Sequence, residues 1–492
     1  MKLEKIISGY PCEVTGDISR EIDELEYSSS ECTANTLFFC LRGANADGHN
    51  YAADAYRRGC RAFVCDRALE LGNGTVQIIC EDTRAALASM SARFYGNCAE
   101  KLKIIGITGT KGKTTTSLLI SAILNEAGHP CAYIGSNGIV IKDLHIDTVN
   151  TTPESRDLHH YFKLMADVGI EYVAMEVSSQ ALAHHRVDGI SFAAGVFLNL
   201  SEDHIGGSEH PDFEDYRRSK ARLFSEHAPR LAVYNADDCY SEGIVSGADC
   251  PKVTFSAAGK AADYSADEIA PFRDDYYLGV SFRMNALGKS VPVRLCSPGA
   301  FSVSNALAAV AVCESMGVPA QLCANVLSHT SVLGRCEIVE GLPGRTFVID
   351  YAHNGLSLTN TLKVLREYNP TRLICVFGSV GGRTRGRRAE LAHASSNLAD
   401  MSIISSDNPD FEEPESIISD IVEHYDGPAP YKIIPDRELA VREAVRISEP
   451  GDIVLFAGKG HENYQLIKGE HVPFSEREII QDECSAVMME NR

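Results

Sequence analysis

Short apolar runs, bounded by glycine and polar clusters, alternate with helical patterns along the whole chain, and this predicts an α/β protein with parallel sheets. Before residue 100, runs at 36–41, 61–65 and 76–80 read as strands, 50–58 reads as a helix, and a second helix over 84–102 leads onward. The run 103–108 is a buried strand and 114–127 is the helix that follows. Further buried strands are expected at 172–176, 195–200 and 231–235, with a charged helix over 213–225 and an apolar one over 300–316. The more polar, alternating stretch 249–295 reads as antiparallel strands at a sheet edge. Beyond 336, runs at 347–351, 373–377, 402–406 and 453–457 are separated by helical stretches, which implies a second, Rossmann-like sheet. Three domains follow: 1–101, 102–335 and 336–492.

The turns between these elements carry the candidate chemistry. The sequence KIIGITGTKGKTTT over 103–116 is a strand, a glycine-rich loop and a helix start. Such a loop leaves backbone N–H groups at a helix N-terminus, where they hold phosphate oxygens. Gly109, Thr110, Lys111, Gly112 and Thr115 form that cradle; Lys113 reaches the outer phosphates, and the Thr114 hydroxyl suits Mg²⁺. Ile107 stands where the common Walker A spacing has its first glycine, so the loop is a subtype, GTKGKTT. A plain glycine turn beside a surface lysine is the alternative. In the last domain the four strands end in DYAHN, GSVGGRTRGRR, SSDNPD and AGKGHE. Ligands of open α/β sheets bind at the carboxyl ends of strands.

A chain of 492 residues with 44% hydrophobic composition can bury several cores. A net charge of −21 disfavours a nucleic-acid surface, so a phosphorylated ligand must be bound by a local pocket rather than a general positive field. The 16 cysteines lack C-x-x-C spacing and fit reduced thiols better than disulfides or a zinc site. With no apolar leader and no run of membrane-spanning length, the chain is expected to be cytoplasmic, without membrane insertion, and to act as a monomer.

Nine segments occur in order: GTKGKTT (109–115), MEVSSQAL (175–182), NLSEDHIGG (199–207), YRRSKARLF (216–224), SNALAA (304–309), LGRCE (333–337), IDYAHNG (349–355), DNP (407–409) and AGKGHE (457–462). Together they resemble the Mur ligase family, in its branch that adds the third residue of the cell-wall peptide. The resemblance spans nearly the whole chain and is weakest over 1–100 and 240–295. It implies an ATP-dependent amide ligase of peptidoglycan synthesis, and through it a role in cell shape and division. ATP would phosphorylate the D-Glu γ-carboxylate of UDP-MurNAc-L-Ala-D-Glu, and the amine of a diamino acid would attack the acyl phosphate. Positioning and neutralisation of phosphate charge would carry most of the catalysis.

The resemblance also assigns residues. Lys113 would neutralise the β- and γ-phosphates, with Mg²⁺ held by Thr114, Glu176, His204 and Lys220, the last as a CO₂-derived carbamate. Taken alone, Glu176 is a surface acid after a strand, His204 a structural histidine, and Lys220 one more base on a charged helix. A carbamate requires a neutral amine, hence a depressed lysine pKa. Ser29, Gly48, His49, Thr151, Thr152, Ser178, His184 and Arg186 would meet the UDP-MurNAc-dipeptide. The family often has Gln where His184 stands, and Ser28-Ser29-Ser30 replaces its Asp-Ser-Arg triplet. Asn305, Arg335 and Asp350 would meet the base and ribose of ATP, with Arg335 at a hinge able to couple nucleotide binding to closure. Arg383, Asp407, Asn408, Asp410, Gly458 and Glu462 would select the amino acid.

Members that add diaminopimelate read DNPR, whereas position 410 here is Asp. A carboxylate pairs with an ammonium and not with a second carboxylate. L-Lysine or L-ornithine is therefore expected ahead of meso-diaminopimelate, unless an arginine such as Arg385 substitutes. A folylpolyglutamate synthetase or another Mur step is the alternative within this chemistry. The GANADGHNY segment and the DNP motif argue against the folate enzyme. A switch or motor NTPase would have a conventional loop, and an inactive homologue would have lost Lys113, Lys220 or His204.

Overall fold

The computed structural model describes residues 1–490 apart from 44–45, 203–204, 207–208, 275–276 and 383–384. The chain divides into two compact units, Met1–Tyr264 with Ala308–Pro319, and Ser265–Leu307 with Ala320–Arg492.

In the first unit, a five-stranded sheet runs in the order Glu13–Thr15, Val76–Ile79, Ala62–Cys65, Thr36–Phe39, Glu24–Glu26, with only the first strand antiparallel. Its inner strands Thr36–Phe39 and Ala62–Cys65 are buried at every residue, as parallel strands covered on both faces must be. The helix expected over 84–102 stops at Phe94, because Gly96 and Asn97 both adopt positive φ; a short 3-10 turn, Cys98–Lys101, completes the connection.

The larger sheet of this unit has Lys103–Thr108 at its centre, in parallel register with Tyr172–Glu176 on one side and Phe192–Phe197 on the other. The order continues outward through Ala232–Asn235 to Lys252–Ser256, and on the other side through Cys131–Gly135 to the antiparallel strands Gly138–Ile141 and Leu144–Ile146. Lys252–Ser256 is parallel to its neighbour, so the sheet-edge reading of 249–295 is corrected at its start. It holds for Leu278–Ala286 and Lys289–Leu295, an antiparallel hairpin of the second unit.

The rest of the second unit is built on a six-stranded sheet ordered Glu337–Val339, Thr346–Asp350, Ile453–Ala457, Leu373–Phe377, Met401–Ile404, Tyr431–Ile433. All its pairings are parallel except that of Glu337–Val339. Arg437 lies beneath it, fully buried, with Nη2 donating to Glu476 Oε1 at 2.6 Å and to the Ala457 carbonyl at 2.9 Å.

His159 shows how burial ties this fold to pH. It lies on the helix Ser155–Asp167, 1% exposed, edge-on to Phe162, and neither ring nitrogen has a hydrogen-bond partner among the described residues. Burial pushes its pKa down to about 4. The unfolded chain, with an ordinary histidine near 6.5, binds the proton first. The stabilisation is therefore complete above pH ~6.5 and is lost as pH falls toward 4. His159→Leu is expected to remove about 3 kcal/mol of the stability difference between pH 7 and pH 4, read from urea midpoints of both proteins.

Candidate active site

The Gly109–Gly112 loop joins the central strand Lys103–Thr108 to the helix Lys113–Glu126. Gly112 caps the helix at φ +87°, a left-handed conformation that a side chain would strain. A Cβ on Gly109 would meet Leu198 Cβ at 3.0 Å and Asn199 N at 3.2 Å. The loop is held from the NLSED side: Thr110 N–H donates to the Asn199 carbonyl, Lys111 N–H to Asn199 Oδ1, and Ser201 N–H to Thr110 Oγ1, at 2.9–3.0 Å. Tyr216 O–H reaches Thr110 Oγ1 at 3.2 Å.

Two lysines converge on this loop. Lys113 Nζ donates to the carbonyls of Gly109 and Thr110 at 3.0 and 3.2 Å. Lys220, on the helix Phe213–Ser225, donates to the same Gly109 oxygen at 3.0 Å. Lys220 is 1% exposed and its ammonium lies 4.4 Å from the centre of the Tyr216 ring. A lysine in so enclosed a place, 111 residues from its acceptor in sequence, is not one of a solvated row. Thr114 is buried in the first helical turn and Thr115 is half-buried.

Glu176 ends the strand beside Lys103–Thr108, in register with Ile107. Its Oε1 accepts from Tyr133 O–H at 2.7 Å and from Ser136 N–H at 2.9 Å. Thr152 Oγ1 donates to the Glu176 carbonyl at 2.8 Å, and Thr151 and Ser136 hydroxyls meet at 3.0 Å. Ser178 Oγ caps the helix Ser179–Ala183 by accepting from Ala181 N–H at 3.1 Å. Arg186 donates from Nε to Glu154 Oε1 at 3.0 Å and from Nη1 to the Thr152 carbonyl at 3.1 Å. Arg84 reaches the same Glu154 carboxylate at 3.0 Å. Burial, then Arg84 and Arg186, hold the nearby His184 below the ordinary histidine pKa. Thr151, Thr152 and Ser178 thus lie near Glu176, and Arg186 and His184 lie by Glu154, while His204 lies outside the described residues.

Gly48 approaches Leu41 so closely that a Cβ would come within 2.6 Å of its nitrogen. His49 is held between Asp47, at 2.6 Å, and Asp66, at 3.1 Å, so its ring is committed to the fold. Ser29 opens a short 3-10 turn in which Ser28 and Ser30 bond each other at 2.8 Å.

In the second unit, Arg335 lies over the Tyr351 ring at 4.9 Å. Asp350 Oδ2 accepts from Cys336 N–H at 2.7 Å; burial raises its pKa, against the opposing pull of Arg335. Asn305 is buried on the helix Ala300–Ser315. The strand-end clusters SSDNPD and AGKGHE meet: Lys459, fully buried, donates to Asn408 Oδ1 and Glu462 Oε2, both at 2.7 Å. Asn408 Nδ2 donates to Glu462 Oε2 at 2.9 Å, and a Cβ on Gly458 would meet Asp407 Oδ2 at 2.7 Å.

Asp410 has φ +52°, and its Oδ1 accepts from Gly469 N–H at 2.9 Å, which anchors the hairpin Tyr464–Ile467 and Glu470–Pro473. It also borders, with Phe411, Arg437 and Lys468, an open cavity of about 260 Å³. Arg385 is largely exposed, 3.5 Å from Asp420, and Arg383 lies outside the described residues. Sequence reasoning missed Glu154, Tyr133, Tyr216 and Lys459.

A curated 2,6-diaminopimelate ligase acting on UDP-N-acetylmuramoyl-L-alanyl-D-glutamate, from Caldanaerobacter subterraneus subsp. tengcongensis, is 37% identical over 489 residues, covering 98% of each chain. The chain belongs to the Mur ligase family. Family models match in three stretches: the Mur ligase family catalytic domain at 21–95, the Mur ligase middle domain at 107–313 and the glutamate ligase domain at 334–460. The Clostridium perfringens ligase of the same name is 36% identical, covering 98% of this chain and 99% of its own. A solved UDP-N-acetylmuramoyl-L-alanyl-D-glutamate–2,6-diaminopimelate ligase superposes with a TM-score of 0.71 at 28% identity, covering 99% of both chains. MurF from Acinetobacter baumannii shares the fold at 20% identity, with a TM-score of 0.65 over 94% of this chain and 96% of its own.

The three-domain Mur ligase architecture is thereby established, and the chain is similar over its length to the UDP-N-acetylmuramoyl-tripeptide synthetases. As a Mur ligase it is an ATP-dependent, ADP-forming acid–amino-acid ligase of peptidoglycan synthesis, with small-molecule substrates. Among the described residues no helix is long and apolar enough to cross a membrane.

Proposed function

We propose that this Mur ligase joins a diamino acid to the D-Glu γ-carboxylate of UDP-MurNAc-L-Ala-D-Glu. The observation that carries the reading is the convergence of Lys113 and Lys220 on the Gly109 carbonyl. Lys113 at a phosphate-binding turn suits a reaction whose demand is neutralisation of transferred phosphate, and the buried Lys220 is brought to the same turn, where as a carbamate it would hold the metal. The γ-carboxylate oxygen attacks the terminal phosphorus of ATP and ADP leaves. The amine nitrogen then attacks the acyl carbon, the C–O bond to phosphate breaks, and the nitrogen loses a proton. Gly109–Thr115 bind the phosphates; Asn305, Arg335 and Asp350 are assigned to the base and ribose. Ser29, Gly48, His49, Thr151, Thr152, Ser178, His184 and Arg186 are assigned to the UDP-MurNAc-dipeptide, with domain limits at 1–101, 102–335 and 336–492.

The oxygens of Thr114 and the buried carboxylate of Glu176 are hard donors of the kind Mg²⁺ takes, so the residues present fit that ion. His204 and Lys220 would complete the set, Lys220 after its neutral amine adds CO₂ and loses a proton. Mg²⁺ supplies charge neutralisation to the phosphates when bound.

For the amino acid, Asp407, Asn408, Gly458 and Glu462 form the proposed patch, with Arg383 added from the resemblance. We favour 2,6-diaminopimelate. The whole-length relatives carry that name, and one oxygen of the Asp410 carboxylate is already used by a hairpin N–H. The second reading, L-lysine or L-ornithine, rests on Asp410 standing where diaminopimelate enzymes have Arg. Phosphate release with ATP, Mg²⁺ and UDP-MurNAc-L-Ala-D-Glu, varied over the three amino acids, decides it. Diaminopimelate is expected to support turnover at least about tenfold better in kcat/KM, the low end of what one pocket contact discriminates. Preference for lysine would reverse the assignment, and inactivity with every amine would overturn the ligase step.

A further inference from the structure

Lys459 stands in the AGKGHE segment between two residues already assigned to the amino-acid patch, yet no role has been given to it. Its ammonium is fully buried, which for lysine requires close partners. It donates at 2.7 Å to Asn408 Oδ1 and at 2.7 Å to Glu462 Oε2, lies 3.7 Å from Asp407 Oδ1, and faces the Tyr464 ring at 5.3 Å. Three residues of the patch, contributed by two different strand ends, are thus tied to one cation.

The pattern of bonds is directional. Asn408 Oδ1 accepts from both Lys459 and Leu466 N–H, which fixes the amide so that its Nδ2 faces Glu462. Glu462 Oε2 then has two donors, Lys459 and Asn408, whereas among the described residues Oε1 meets the Tyr351 hydroxyl alone, at 3.5 Å. The carboxylate is clamped by one oxygen and presents the other. With both carboxylates ionised, Asp407 and Glu462 carry two negative charges against the one positive charge of Lys459, leaving the cluster one positive charge short of neutrality. That is the complement of a single ligand ammonium. Burial raises the pKa of Asp407 overall, and Lys459 is the leading influence that holds its carboxylate ionised against that rise.

We propose that Lys459 is a positioning residue for the incoming amino acid, holding Asn408 and Glu462 in register and setting the charge of the patch to receive one ammonium. The inference rests on the assignment of this patch to the amino acid. It requires no contact between Lys459 and the ligand.

The test is steady-state kinetics of the full chain with Lys459→Met and Lys459→Arg, each substrate varied in turn. Lys459→Met is expected to raise KM for the amino acid at least tenfold while KM for ATP and for UDP-MurNAc-L-Ala-D-Glu stays within twofold. Lys459→Arg, which keeps the charge but not the shape, is expected to recover part of that loss. A uniform fall in kcat with all three KM values unchanged would overturn the proposal, as would an unaltered amino-acid KM. Should Lys459→Met fail to fold, Asn408→Ala and Lys459→Arg, singly and together, give the same answer. Additive effects on amino-acid KM would reject a shared role, and strongly non-additive ones would support it. Wild-type turnover with no amino acid at all would instead remove the patch assignment, and the proposal with it.

Discussion

Lys113→Ala is expected to reduce phosphate release by at least about 10²–10³-fold, the usual cost of losing one preorganised group aimed at developing charge. Lys113 begins the helix Lys113–Glu126, and its ammonium is within 3.2 Å of two loop carbonyls. A methyl group leaves the backbone N–H cradle intact but removes the Lys113 charge from that helix start. Nucleotide affinity should fall less than kcat, because backbone donors still hold the inner phosphates while the transferred group loses its cation. Single-turnover phosphate release beside a nucleotide-binding titration separates the two. Normal turnover of the variant would take the loop out of the chemistry.

Lys220→Ala is expected to be nearly as damaging, and the manner of its rescue is informative. As an amine, Lys220 serves as a donor to the Gly109 carbonyl. As a carbamate it would be an acceptor and a metal ligand. Added formate or acetate can replace only the second role, since a carboxylate cannot donate to a carbonyl oxygen. We expect a loss of about 10²-fold, partly restored by short carboxylates and not by small alkylamines, with thermal stability measured in parallel. Restoration by amines alone would make Lys220 a structural donor, and full activity without additives would reject both roles.

The sequence was legible where burial leaves little choice. The strands at 103–108, 172–176, 373–377 and 453–457 match the structure residue for residue, because each is an apolar run covered on both faces. The charged helix Phe213–Ser225 was equally plain from its periodicity. The strand expected at 195–200 lies instead at Phe192–Phe197, where an irregular register between Phe192 and Ala194 shifts the pairing. The hairpin Tyr464–Ile467 with Glu470–Pro473 was missed because its half-exposed and exposed residues give no apolar run.

At the site, the glycine loop announced itself by composition, whereas Lys220 was recognisable only by resemblance. Glu154 and Lys459 escaped notice for a different reason. Charged residues are expected in water, and only the packed chain reveals Glu154 between two arginines and Lys459 beneath the patch. The backbone N–H of Gly469 on Asp410 Oδ1 was likewise not legible, because a turn 59 residues away supplies it.

The 16 thiols offer a practical handle on all of these variants. Thirteen are buried, two are half-covered, and Cys239 alone is open to solvent. An alkylating dye should therefore modify the native protein chiefly at Cys239, and further labels should register opening of the regions where the others are packed. Counting adducts by intact-mass spectrometry would distinguish a Lys113, Lys220 or Lys459 variant that has lost its chemistry from one that has lost its shape, with no added tag.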